Sequence, residues 1–206
     1  MNLTETAGLV GVPIGVVGAV IATLAWRTSA GTRRDQAAAE ATRRHREMRP
    51  DLAVAIDLRH GPDSGVLAVK LVGPREVERY DWIRVTVRDD KERPPPRTGS
   101  GVTLEAQQRQ VWGPFWFRPG IEGGSEDHRS AEQGGKAVTD TWLFAIDRVL
   151  APHWYSGGGA AWREDYKGAP MRLRIEVGLG DQSWVELLEI EQPRRSAYED
   201  GGVTVA

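Results

Sequence analysis

The chain has 206 residues and no cysteine, the size of one domain with attachments, which excludes a large multidomain enzyme, disulfides and any site built on thiolates. Its 27 lysines and arginines nearly balance 29 aspartates and glutamates, for a net charge of −2, so no global positive field draws it to nucleic acid. Hydrophobic residues make up 40% and charged ones 27%, too apolar for wholesale disorder and too polar for a multi-span membrane protein.

Residues 1–6 are a short tail. The next 20 residues, Ala7 to Trp26, carry no charge and reach about 30 Å as a helix, the thickness of a bilayer core. This predicts one transmembrane helix, with Pro13 in its first third where few hydrogen bonds are lost. Glu5 precedes it and no Lys or Arg does, unlike the basic start of a cleaved signal peptide, so the segment reads as a retained anchor. Between Arg27 and Arg49 seven arginines outnumber three acids. The positive-inside rule then puts the N-terminus outside and everything after Trp26 in the cytoplasm. Ala7, Gly11, Gly15, Ala19 and Thr23 recur on one helix face, a stripe suited to packing on another helix, including that of a second copy. A segment so rich in Gly and Ala also produces such a stripe by composition alone.

Residues 27–50 read as an Arg/Ala-rich helical stalk. Ala37, Ala38, Ala39 and Ala41 favour helix, Glu40 is spaced to meet Arg43 and Arg44, and Pro50 ends it. It lacks an apolar stripe wide enough for burial, so it is expected to be solvated. Its arginines fix topology and also suit anionic head groups.

From Asp51 the period falls to two. Leu52, Val54, Ile56 and Leu58 alternate with Ala53, Ala55 and Asp57, and Leu67, Val69 and Leu71 with Ala68 and Lys70, which predicts two strands joined as a hairpin through His60–Gly65. Ile83, Val85 and Val87 mark a third strand, ending before Pro94-Pro95-Pro96. Further strands are expected at Gln110–Phe117, at Val138–Ile146 with Val138, Trp142, Phe144 and Ile146 inward, at Met171–Leu179, and at Trp184–Ile190. The last breaks strict alternation and predicts a bulge or burial on both sides. About seven antiparallel strands over residues 51–192 make a mainly β, two-sheet β-sandwich, immunoglobulin-like in the loose sense. Residues 193–206 lack periodicity and are expected to be disordered.

Neither the Gly-rich stretch 118–136 nor Ser156-Gly157-Gly158-Gly159 has the spacing of a phosphate cradle, and HExxH and GxSxG are absent. No catalytic, cofactor-binding or metal-ligating residue and no cofactor is therefore assigned. Glu126-Asp127-His128 has the composition of a metal or acid-base cluster, but three adjacent polar residues in a loop are more simply solvated. A hydrolase reading requires Asp140, His153, Glu164 and Asp165 to converge in one pocket.

Tryptophan is the strongest signal, with eight in the chain. Trp142 and Trp184 sit at inward positions and are expected in the core. Trp112, Trp116, Trp154 and Trp162 fall in two aromatic clusters and form the candidate interaction surface, since exposed aromatics on a rigid scaffold make hot spots for a protein or stacking platforms for sugars. Met48-Arg49-Pro50-Asp51-Leu52, Trp112-Gly113-Pro114-Phe115, Phe117-Arg118-Pro119-Gly120 and the Trp162 segment together resemble uncharacterised actinobacterial single-pass membrane-anchored proteins over most of the chain. That resemblance implies a sheet-rich domain behind one anchor and no activity. The expectation is a non-enzymatic, membrane-anchored cytoplasmic protein-interaction module with the bilayer and a protein as partners. The alternative, an extracytoplasmic carbohydrate- or envelope-binding module, requires the opposite topology.

Overall fold

The computed structural model describes residues 35–58, 63–89 and 101–193. The chain divides into two units between Met48 and Arg49. The expected membrane segment 7–26, its packing face Ala7, Gly11, Gly15, Ala19 and Thr23, the Pro94-Pro95-Pro96 loop and the tail beyond Pro193 lie outside the described residues. Among those described, no helix is long and apolar enough to cross a membrane.

In the first unit residues 35–47 form helix α1, exposed along nearly its whole length. Glu40 lies 3.9 Å from Arg44, one turn on, while Arg43 pairs with Glu47 at 2.8 Å rather than with Glu40. Both pairs use the i,i+4 spacing; Glu40–Arg44 sets the carboxylate before the guanidinium, and the shorter Arg43–Glu47 has the reverse order.

The second unit is mainly β. Strands β1 (Asp51–Asp57), β2 (Ser64–Gly73), β3 (Trp82–Val87), β4 (Phe115–Phe117), β5 (Ser130–Gly134), β6 (Thr141–Arg148), β7 (Met171–Leu179) and β8 (Gln182–Ile190) are joined by connections that include helices α2 (Leu104–Arg109) and α3 (Gly158–Asp165). They form two antiparallel four-stranded sheets, β1-β2-β6-β4 and β5-β3-β7-β8, an arrangement consistent with a sandwich. The alternation explains the layering. Leu67, Val69, Leu71, Trp142, Phe144, Ile146, Phe115 and Phe117 from the first sheet are buried, as are Ile83, Val85, Met171, Leu173, Ile175 and Val177 from the second. Trp142 and Trp184 lie in this core as expected. The Trp142 indole donates to the Gly134 carbonyl at 2.9 Å, and the Gln133 amide to the Leu143 carbonyl, so β5 of one sheet is tied to β6 of the other. Burial pushes the Tyr80 phenol up to about 12.

Four sequence expectations change. The strand expected at Val138–Ile146 begins only at Thr141 and runs to Arg148, leaving Val138 before it and half-buried instead of inward. The strand expected over Gln110–Phe117 shrinks to Phe115–Phe117, because Gln110 closes α2 and Pro114 has no N–H to give a ladder. The polar stretch 118–136 contains β5, an edge strand with a single buried side chain, Ala131. The last strand has neither a bulge nor two buried faces. Its register with β7 is unbroken from Met171↔Ile190 to Leu179↔Gln182, with Val185 and Leu187 exposed and Trp184 buried. The two-residue turn Gly180-Asp181, with Gly180 at φ 55°, fixes that register.

Candidate interaction surface

The outward face of the first sheet is built by the residues between the buried ones. Across it, Ala55 lies opposite Ala68 and Ala68 opposite Leu143; one row on, Asp57 and Val66 align with Ala145, which is itself buried, and one row back, Ala53, Lys70 and Thr141. Ala53 and Ala55 are exposed and Leu143 is 46% exposed. Val72 continues the face, occupying the register shift where Asp51 pairs with Gly73 but Leu52 with Leu71. The result is a flat apolar strip floored by alanine, where a solvent-facing sheet usually carries polar side chains. Charges edge it: Asp57, Lys70, and the Arg118 guanidinium held on both carboxylate oxygens of Asp147.

Trp116 points out of β4 beside this strip, half-buried, in the row of Asp147. His128 stacks on it with ring centroids 4.3 Å apart and planes 22° from parallel, and its Nδ1 lies 3.2 Å from the Phe117 carbonyl. The loop that carries His128 is held by Asp127, whose carboxylate accepts from the Ser125 hydroxyl and from the Arg129 N–H at 2.9 Å. Burial alone would raise that carboxyl, but these hydrogen bonds and the charges of Arg129 and His128 outweigh it and hold it below the usual carboxylate range. Asp127 and His128 are thus used in shaping the turn, and among the described residues no group of three or more His, Asp or Glu is placed to hold a metal.

The other tryptophans of the candidate surface behave differently. Trp112 and Trp162 are each only 2% exposed and belong to the core. Their rings sit 5.3 Å apart, Tyr155 packs on both, and Tyr166 lies 4.6 Å from Trp162. Helix α3 brings Trp162 inward, and its indole donates to the Val149 carbonyl at 3.1 Å. The Trp112 backbone N–H donates to Asp89 at 3.0 Å, the carboxylate that also holds Arg129. These two rings are buried against each other and against the tyrosines beside them, which leaves almost nothing for a partner to touch. Trp154 is half-buried, edge-on to His153.

The four residues of the hydrolase reading do not converge. Asp140 precedes β6 and His153, Glu164 and Asp165 follow its far end, so the length of an eight-residue strand, roughly 25 Å, separates them. Asp165 accepts the Tyr155 hydroxyl, which with burial pushes that phenol up to about 12, and Glu164 pairs with Lys167 at 3.5 Å.

Trp82 was not singled out by the sequence. It faces outward on β3, half-buried, with its indole lying against Gly178 of β7; a Cβ at Gly178 would come 2.1 Å from the ring. The Arg84 guanidinium is 6.0 Å from the ring centroid and pairs with Glu132 at 2.6 Å. The signal for the alanine strip, by contrast, was present: Ala53, Ala55 and Ala68 stand where a one-sided strand would carry polar residues. Comparison of the chain with protein-family models, with curated proteins and with solved structures gives no match.

Proposed function

We propose that this chain is a protein-interaction module held at the cytoplasmic face of a membrane by the segment Ala7–Trp26, and that it docks a protein partner on the outward face of its first sheet. The observation that carries this reading is the apolar strip of the exposed Ala53, Ala55 and Leu143 and the half-buried Ala68 beside Trp116, a contiguous surface rimmed by charge, which is the anatomy of a docking patch. The sandwich is immunoglobulin-like in a loose sense. The orders β1-β2-β6-β4 and β3-β7-β8 run parallel to the A-B-E-D and C-F-G sheets of that architecture, with the difference that β5, beside β3, follows β4 in the chain. Anchoring would confine the partner to the membrane surface and raise its effective concentration there.

Two experiments test this. A photo-crosslinking side chain in place of Leu143 is expected to capture a discrete protein adduct in intact cells, lost on adding Ala68→Arg, while the same group at Glu176, on the outward face of the second sheet, captures none; equal capture at both positions rejects the surface. Because the chain has no cysteine, Asn2→Cys and Ser196→Cys can be labelled without background. An impermeant thiol reagent is expected to reach only Asn2→Cys.

A second reading, an extracytoplasmic carbohydrate-binding module, draws support from Trp82, a flat indole bordered by Arg84 and Glu132. Labelling at Ser196→Cys alone would put it first.

A further inference from the structure

Strand β8 closes one side of its sheet, so among the described residues no strand hydrogen-bonds to one line of its backbone N–H and C=O groups, although β1 of the other sheet comes near it and Arg49, just before β1, pairs with Glu186. The other three edges are protected. β4 is three residues long between Pro114 and Pro119. β5 has its free side taken by the 118–128 loop, through Glu132 N–H to the Gly123 carbonyl at 3.0 Å and the Gly124↔Ala131 bridge. β1 starts after Pro50 and is paired across a register shift. β8 has none of these devices: nine residues, no proline, no lysine, an unbroken register, and Val185 and Leu187 exposed at 44% and 60%.

We propose that β8 is where two copies of this chain join, edge to edge and antiparallel, so that their second sheets run on as one. A two-fold axis perpendicular to the sheet keeps outward residues opposite outward residues, so each allowed register is centred on one residue facing its own copy. Charge removes two of them, and covering the most exposed leucine of β8 decides between the rest. Centring on Glu186 sets two glutamates face to face, and centring on Val185 sets Glu189 against Asp181. Centring on Leu188 leaves Leu187 opposite Glu189. Centring on Leu187 sets Leu187 against itself, Val185 against Glu189, Glu186 against Leu188, Trp184 against Ile190 and Ser183 against Glu191. No acid then faces an acid, and the exposed leucine is covered by its own copy. The two acids within β8 also arrive already partnered, Glu189 by Arg172 at 3.2 Å and Glu186 by Arg49 at 3.0 Å.

The test uses the full-length chain in the cells that make it, with a short bifunctional thiol reagent applied before extraction. Leu187→Cys should crosslink to its own copy, because directly opposite Cβ atoms lie about 5 Å apart. Val185→Cys alone should give about tenfold less dimer, since its own copy lies four residues, roughly 13 Å, along the strand. Co-expressed Val185→Cys and Glu189→Cys chains should crosslink to each other as well as Leu187→Cys does to itself. Absence of a Leu187→Cys dimer overturns the proposal. Equal yields at 187 and 185 do so too, because association through the anchor or by collision would not be register-specific. All three side chains are exposed, so unchanged melting of the variants separates a lost interface from a lost fold.

Discussion

Three residues separate Trp112 from Trp116, and their surroundings assign them opposite tasks. Trp112 is enclosed by Trp162 and Tyr155, so Trp112→Ala is expected to cost about 3–5 kcal/mol in chemical denaturation, as truncation of a buried aromatic does. Trp116 loses one stacked neighbour and stays wet on the other side, so Trp116→Ala should cost less than about half as much. A second residue-level expectation concerns Asp127. Its carboxyl sits below its ordinary value of 3.8 in the folded chain, so it contributes stability that is fully present above that value and is lost as pH falls below it. Asp127→Asn should therefore destabilise the protein at pH 7 and make little difference in strong acid, as read from denaturation midpoints across that range. Neither role was legible in the sequence. Trp112, Trp116, Asp127 and His128 are ordinary residues in an irregular stretch, and what separates them is which tertiary neighbour reaches them.

Between elements, β3 lies close on β7, where the Trp82 ring occupies the space a side chain at position 178 would need. Gly178→Ala should cost about 1–3 kcal/mol by overpacking. Most of that cost should vanish when Trp82→Ala is already present, a non-additivity that a double-mutant cycle measures. The strands themselves were the most readable level. Alternation placed β1, β2, β3 and β7 with their inward residues, and β6 with Trp142, Phe144 and Ile146 but not Val138, because a half-buried strand writes its period directly into hydrophobicity. β5 and α3 escaped. One inward Ala131 is too little amphipathicity to register, and Gly158-Gly159 opening a helix reads locally as loop chemistry. β8 was found but its faces were misjudged, since Val185 and Leu187 look buried to any argument from hydrophobicity. The alanine strip was misread in the same way: its residues were seen as the filler between core positions and not as a surface.

Across the whole molecule, the hydrogen bonds from Trp142 to Gly134 and from Gln133 to Leu143 join the two sheets along one side. Far-UV and near-UV signals of the sheet domain are therefore expected to change at the same denaturant concentration, as one two-state transition. In alkali the phenols of Tyr80 and Tyr155, raised from 10.0 to about 12 in the folded chain, contribute stability below 10 that disappears as pH climbs towards 12. Tyr155→Phe should flatten that decline. Only β1–β2 and β7–β8 pair strands adjacent in the chain; β2 must find β6, with Ser64 opposite Asp147, and β3 must find β7, with Trp82 opposite Gly178. A ribosome adding about 5–20 residues per second leaves β3 waiting on the order of 5–20 s for β7, with only one of its two partners, the edge strand β5, emerging in between. During synthesis, then, the chain passes through a state in which a finished hairpin and an unpaired Val-Ile-rich strand are presented to the cell, and its yield should depend more on translation speed and chaperone supply than on the stability of the finished domain.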